Sequence, residues 1–333
     1  MSVVKRGLLV ILILLVAAAG YVLYAYYGTV DLGDRTVSIV IEPGDDFTEV
    51  AGRLLERGVV RSRIMLRYPA RLRGVDRRLT PGRYDFKGGN SCRSVLDRLA
   101  GADFLRVRVT VAEGAPIWKV ASILADQAQA DSAAVLDLNR DSVFLASLDL
   151  PYLEGYLFPE TYFFAWGSTT QEMVQDMVAM FRSQCDTIWS DSVHNGLSRD
   201  EIVILASIIE AEAGLDEEKP LIASVYHNRL RQGTKLDADP TVIYGLGGLD
   251  RPLTTKDLRA STPYNTYRRP GLPPTPINSP GLASLRAALH PDSTDYYYFV
   301  ADGTGGHRFS RTNREHINAR NEIRRSMRQQ GGK

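Results

Sequence analysis

The chain has 333 residues, 44% hydrophobic and 24% charged, with 40 Lys and Arg set against 39 Asp and Glu. That is ordinary globular composition and length enough for about two domains, which excludes a disordered or collagen-like chain. A formal net charge of +1 gives no global basic field for nucleic acid, and two cysteines, Cys92 and Cys185, form neither a disulfide framework nor a CxxC zinc site.

Lys5 and Arg6 precede an uncharged run, Leu8 to Tyr27. At about 1.5 Å per residue it reaches across a hydrocarbon core of roughly 30 Å. Tyr21, Tyr24, Tyr26 and Tyr27 crowd its far end like an interfacial aromatic belt. The positive-inside rule then predicts residues 1–6 in the cytoplasm, 7–28 as a single transmembrane helix, and the remainder outside the cytoplasmic membrane. The competing reading is a cleaved signal peptide, because Ala17-Ala18-Ala19 resembles a cleavage site. Against it, the apolar run is longer than a usual signal core.

The next stretch repeats at an offset of 70 residues: Val37-Ser-Ile-Val-Ile-Glu-Pro-Gly44 with Val50, Ala51 and Leu54, then Val107-Arg-Val-Thr-Val-Ala-Glu-Gly114 with Val120, Ala121 and Leu124. Each copy predicts strand, glycine turn and helix, and Gly82–Phe86 adds a strand between them. These small β-α units over residues 35–130 resemble LysM-like modules, which bind N-acetyl sugars of cell walls. The plainer reading is a packing unit that repeats because two halves of a small sheet pair.

A connector over residues 131–170 ends in Leu153-Glu-Gly-Tyr-Leu-Phe-Pro-Glu-Thr-Tyr162, and a helix is predicted from Thr170 to Trp189. Ser198-x-x-Glu201 is a capping box that starts another, with Gly214 placed to end it. Arg269–Gly281 carries too many prolines to be helix. Asp295–Val300 reads as a strand, and Tyr244 as possible strand core. The closing basic helix shows Arg314, Arg320, Arg324, Arg325 and Arg328 as a solvated face. The expected architecture is α+β: a transmembrane helix, a small LysM-like module, and a mixed α/β catalytic domain over 150–333.

From Ile202 to Ile209 only Ser207 is polar, so the helix that begins at Ser198 should be buried on most sides. Two carboxylates at its end, Glu210 and Glu212, lie about 200° apart around the axis and cannot act as a pair. Glu210 continues the small-residue stripe of Val203, Ala206 and Ser207, and is the better candidate to face a cleft. An apolar wall there would hold it protonated as a general acid. Pairing with basic residues at the helix end is the plainer alternative.

Further motifs follow: Ala206-Ser-Ile-Ile-Glu210, Asp239-Pro-Thr-Val-Ile-Tyr244, Tyr264-Asn-Thr-Tyr267, Gly271-Leu-Pro-Pro274, and Tyr298-Phe-Val-Ala-Asp-Gly303 with Gly306-His307. Together, in this order and from the membrane segment to about residue 326, they resemble the MltG/YceG-like endolytic murein transglycosylases. Glu160 stands where an aspartate is more usual, and Ala211 where relatives often have lysine. The resemblance implies cleavage of the β-1,4 MurNAc–GlcNAc bond inside peptidoglycan strands, with the muramyl C6 hydroxyl attacking its own C1. A single glutamate, mapped onto Glu210, can then serve as acid and base, where ordinary glycosidases need two carboxylates. Asp239, Tyr244, Asn265, Tyr267 and His307 are the substrate-binding candidates, and Glu212 and Glu154 the secondary carboxylates.

No metal or other cofactor is expected. HExxH, GxSxG and calcium-loop patterns are missing, and Lys219, Lys235 and Lys256 sit in no phosphate-binding context for a pyridoxal lyase. The expected partners are peptidoglycan strands and, through the resemblance, peptidoglycan synthases or elongation machinery, with no nucleic acid. The rival reading is a membrane-tethered scaffold that binds peptidoglycan without cutting it.

Overall fold

Residues 3–42, 44–189 and 196–330 are described by the computed structural model. Their contacts divide the chain into two units, Met1–Arg108 with Phe163–Ser168, and Val109–Tyr162 with Thr169–Lys333.

The first unit begins with α1 (Val3–Tyr27). Within it Gly7–Tyr27, of mean hydropathy 2.7, is the one helix among the described residues long and apolar enough to cross a membrane. Then come β1 (Val30–Asp31), β2 (Val37–Ile41), α2 (Phe47–Glu56), α3 (Arg63–Leu72), β3 (Gly82–Phe86), β4 (Gly89–Asn90) and α4 (Cys92–Ala100). Strands β2 and β3 pair antiparallel, Val37 opposite Phe86 and Ile41 opposite Gly82. Alternation turns Ile39, Ile41, Tyr84 and Phe86 inward, where Val50, Ala51 and Leu54 of α2 and Val95, Leu96 and Leu99 of α4 complete a core.

Strand β5 (Arg106–Thr110) carries the chain into the second unit and pairs with β6 (Thr161–Ala165). Between them lie α5 (Ile117–Ala128), α6 (Ser132–Leu138) and α7 (Ser142–Ser147). Both copies of the repeat thus form strand, turn and helix, with Gly44 and Gly114 at positive φ. They fall in different units, however, because the backbone of Val111 bonds Glu160 rather than β2.

The helices α8 (Thr170–Trp189), α9 (Arg199–Glu212), α10 (Lys219–Arg231), α11 (Asp239–Gly245) and α12 (Leu282–Leu289) follow. Then a hairpin of β7 (Tyr298–Ala301) and β8 (His307–Ser310), and α13 (Asn313–Gln330), close the chain. α9 is the axis of this unit: every residue from Ile202 to Ile209 is at most 6% exposed, packed among α10, α11 and α12 in a core that α8 also joins. The capping box forms as expected, Ser198 Oγ accepting from Glu201 N–H at 3.3 Å and Glu201 Oε2 from Ser198 N–H at 2.7 Å.

Three local expectations change. Asp239–Gly245 is helical, so Tyr244 is not strand core. The strand expected from Asp295 starts at Tyr298, because Asn228 Nδ2 ties the carbonyls of Thr294 and Tyr296 to α10. α9 ends at Glu212 without a left-handed glycine; Gly214 is needed instead for space, since a Cβ there would lie 2.9 Å from the Gly305 carbonyl oxygen. Cys92 and Cys185 are both free and buried, one in each unit.

The Pro-rich loop before α12 is stitched to α9 through Ser207. Its Oγ accepts the Ile277 N–H at 3.0 Å, and its carbonyl accepts Asn278 Nδ2 at 2.8 Å. The 153–162 run packs on the same surface through Gly155, at φ +86°, where a Cβ would stand 2.5 Å from Pro276 Cγ and 3.0 Å from Val203 Cγ1. Gly155→Ala should therefore destabilise the fold by about 2 kcal/mol or more, several degrees in thermal melting followed by circular dichroism. An unchanged melt would show that this packing is dispensable.

Candidate active site

Glu210 stands in the last turn of α9 with its side chain 9% exposed. Three donors converge on its carboxylate. Oε2 accepts the Gly281 N–H at 2.9 Å and the Ser284 hydroxyl at 2.7 Å, while Lys219 Nζ is 3.4 Å from each oxygen. Gly281 caps α12 and Ser284 lies in its first turn. The carboxylate is therefore held at a helix N-terminus, where free backbone donors point outward. Among the described residues Oε1 has the lysine contact alone.

Lys219 is itself 3% exposed and bonds Asp216 at 2.7 Å. Burial works against its charge, but Asp216, Glu210 and Glu113 together outweigh it and the net shift is upward, so the ammonium stays charged. The apolar wall expected around Glu210 is thus replaced by a polar cradle. The reason is that the starts of α10 and α12, distant in sequence, both close on the end of α9.

The cradle also holds a carboxylate that sequence reasoning gave no role. Gly114 N–H donates to the Ser279 carbonyl at 2.9 Å, and Ser279 N–H to the Ala115 carbonyl at 2.9 Å. That two-bond bridge sets Glu113 beside Gly281, where a Cβ on Gly281 would collide with the Glu113 carboxylate. Across Gly114, a Cβ would lie 3.8 Å from Glu210 Cγ. Gly281 therefore separates the two carboxylates, its N–H on Glu210 and its α-carbon against Glu113. Glu113 is exposed as a residue, but its carboxyl end packs against Gly281; that burial, then the Glu210 charge, raises its pKa against the opposing pull of Lys219. The available signal was small: in the repeat, Glu113 replaces Pro43 just before the turn glycine.

The other candidates form separate groups. Glu154 is 2% exposed and accepts the Ile117 N–H at the start of α5 with both oxygens, 3.1 Å each, and the Tyr244 hydroxyl at 2.8 Å. Burial pushes its pKa up to about 7 against those donors. The Tyr244 ring packs between Trp118 and Tyr264, with centroids 4.9 and 4.8 Å away.

Beyond the opposite side of α9, Glu212 accepts from Tyr226 Oη at 3.2 Å and is pushed up to about 7 by burial, then by Asp239. Asp239 is exposed and accepts the Tyr267 hydroxyl at 2.6 Å. Asn265 is fully buried, its amide donating to the carbonyls of Leu258 and Ala260 and accepting the Tyr267 N–H, so it braces the loop that carries Tyr267. His307 Nδ1 lies 2.7 Å from Glu218 Oε2 and its N–H donates to Oε1, fastening the β7–β8 turn to the residue before Lys219. Glu210 and Glu212 point apart, as their spacing requires. Among the described residues no cluster of His, Cys, Asp and Glu is arranged to hold a metal ion.

Comparison with known proteins places this arrangement in a family. The YceG-like family model matches residues 39–322. The chain belongs to the YceG-like family. It is 33% identical over 303 residues to the endolytic murein transglycosylase of Bacillus subtilis, covering 86% of this chain and 84% of that protein. The endolytic murein transglycosylase of Streptococcus pneumoniae is 26% identical over 340 residues, and the match spans 90% of this chain but 61% of that longer protein. The crystal structure of a yceG-like protein from Listeria monocytogenes, 27% identical, superposes with a TM-score of 0.60 over 85% of this chain and 98% of the other.

Glu154 and Glu212 give the fold a pH dependence of definite sign. A carboxyl whose pKa is higher folded than unfolded binds its proton more tightly when folded. Its contribution is therefore lost as pH rises from the ordinary 4.5 through about 7. The urea midpoint of the wild type should fall between about pH 5 and about pH 8, and Glu212→Gln should reduce that fall. Equal falls in the two proteins would remove Glu212 as a cause.

Proposed function

We propose that this chain is a membrane-anchored endolytic lytic transglycosylase of peptidoglycan, cleaving the β-1,4 MurNAc–GlcNAc bond within glycan strands and leaving 1,6-anhydroMurNAc ends. The observation that carries this reading is the Glu210 carboxylate. One oxygen is fixed by Gly281 and Ser284 and the other is free of both. The names of the relatives in B. subtilis and S. pneumoniae support it.

In this reading protonated Glu210 donates its proton to the glycosidic oxygen as the C1–O bond breaks. The C6 hydroxyl oxygen of the same muramyl residue then bonds C1, and its proton returns to the Glu210 carboxylate. No water is consumed and the acid is regenerated, so one glutamate suffices. Glu113, whose pKa is raised by burial and then by the Glu210 charge, is the neighbouring carboxyl placed to exchange a proton with the site.

Asp239 and Tyr267 are the polar pair best exposed to meet sugar hydroxyls. Tyr244 offers part of an aromatic face, while Asn265, His307 and Glu154 hold loops in place. Glu212 belongs to the stability of α9 rather than to proton transfer. Residues 7–28 are the anchor, with 1–6 in the cytoplasm and the rest outside the cytoplasmic membrane. Of the expected LysM-like stretch 35–130, the part in the first unit is the candidate module, supported by the β-α-α-β order of β2, α2, α3 and β3. The physiological setting that follows is release of nascent strands beside peptidoglycan synthases.

The full chain, incubated with purified glycan strands, should produce anhydromuramyl ends by mass spectrometry, and Glu210→Gln should lower their rate by roughly 10²–10⁴-fold. Reducing ends in their place would mean hydrolysis, and strands bound but uncut would mean a scaffold. Glu113→Gln removes the like charge beside Glu210 while keeping the side chain's size. The pH profile of kcat/KM should differ from that of the wild type, with cleavage retained. A profile identical to wild type would exclude Glu113 from the proton transfer.

A further inference from the structure

Residues 57–78 contain eight arginines and a single acid, Asp76. Their centre is α3, whose buried side is formed by Leu66 and Ala70. Its outer side carries an apolar stripe at helical spacing, Ile64, Tyr68 and Leu72, which are 58%, 70% and 88% exposed. Arg63, Arg67 and Arg71 flank the stripe, and among the described residues none of them makes an ion pair. A helix apolar on its core side needs no second apolar face, and here the second face is joined to arginines that outnumber the two acids, Asp46 and Asp76, lining the same cleft.

The position of α3 says what meets that face. Just before its start, the Arg61 guanidinium lies 5.1 Å from the Tyr24 ring centroid and donates to the Thr29 carbonyl at 2.8 Å. Just after its end, Arg73 pairs with Asp97 at 2.7 Å and lies close enough to Tyr26 for its hydroxyl to support the guanidinium charge. Both ends of α3 are thus fastened to the last turn of α1, so the helix runs across the foot of the apolar segment. If α1 spans the bilayer, α3 lies at its surface, at the level of the interfacial tyrosines.

We propose that α3 is a membrane-surface helix. Ile64, Tyr68 and Leu72 enter the boundary between headgroups and acyl chains, while Arg63, Arg67 and Arg71 bind the phosphates of anionic lipid. α1 then sets the attachment and α3 fixes the tilt of the first unit on the bilayer, as a second, charge-dependent contact. This rests on the anchor reading of α1 and is independent of the chemistry at Glu210.

The test uses the full chain in vesicles, with Tyr68→Cys carrying an environment-sensitive thiol fluorophore. Cys92 and Cys185 are buried and remain unlabelled. Lipids brominated along the acyl chain serve as quencher, in phosphatidylcholine alone or mixed with phosphatidylglycerol. Quenching of the Tyr68 label should be roughly twofold or more stronger with phosphatidylglycerol, and most of that gain should be lost in Arg67→Glu/Arg71→Glu. A label on Val143→Cys, 78% exposed in the second unit, is the control. Ile64→Cys repeats the measurement should Tyr68→Cys fold poorly.

Quenching that is absent, or indifferent to phosphatidylglycerol, overturns the proposal. So does a Tyr68 label that stays unquenched by lipid but is shielded on adding glycan strands, which would make the face a wall-binding one. Co-flotation with phosphatidylcholine vesicles reports α1 separately. Loss of flotation would overturn the anchor reading itself, whereas flotation without quenching would overturn only the role of α3.

Discussion

A carboxylate at the end of a helix buried on every side must be met by donors, because an ion left unpaired there would cost several kcal/mol. Glu210 is met by the first residues of α12 and by Lys219 at the first residue of α10. Much of the second unit can be understood as what is required to bring those two helix starts to one point. α9, α10 and α12 pack against each other through apolar faces, so burial supplies the driving force, and the Glu210 cradle fixes the register in which they meet.

The Pro-rich loop is the second requirement. A loop of prolines has few donors and cannot bond itself, so its polar groups must be satisfied by neighbours. Ser207, the one hydroxyl on the buried stretch of α9, takes the Ile277 N–H, and the turn at Gly114 and Ala115 takes both sides of Ser279. Those few bonds deliver Gly281 to Glu210 in one direction and Glu113 to Gly281 in the other. Glu154 works one step further out, holding the first turn of α5 and so the position of the segment that carries Glu113. A buried carboxylate on a helix N-terminus is a brace of the same kind as the one Glu210 receives.

What could be read from the sequence was the part encoded locally. The capping box at Ser198, the helix over Thr170–Trp189, the repeated strand–turn–helix and the divergence of Glu210 from Glu212 all follow from spacings of a few residues. The chemistry of the cradle was hidden because its members lie far from Glu210 along the chain: Gly281 and Ser284 are separated from it by 71 and 74 positions. Glu113 was obscured for another reason. The repeat invited both copies to be treated as one module, while the pairing of Val111 with Glu160 draws the second copy into the unit that holds Glu210. Asn265 looked like a sugar-binding amide because its type permits it; burial shows that its amide is spent on backbone carbonyls.

Gly281 shows why the two carboxylates have to be considered together. Its backbone runs between them, with room for a hydrogen atom and no more on the side of Glu113. A side chain there would displace Glu113 and pull the N–H away from Glu210, so one residue type sets the distance between both groups. Burial and then the Glu210 charge raise the pKa of Glu113. Lys219, charged and buried, opposes that rise. Two carboxylates, a lysine and a single glycine thus share one point, and a change at Gly281 reaches both carboxylates at once.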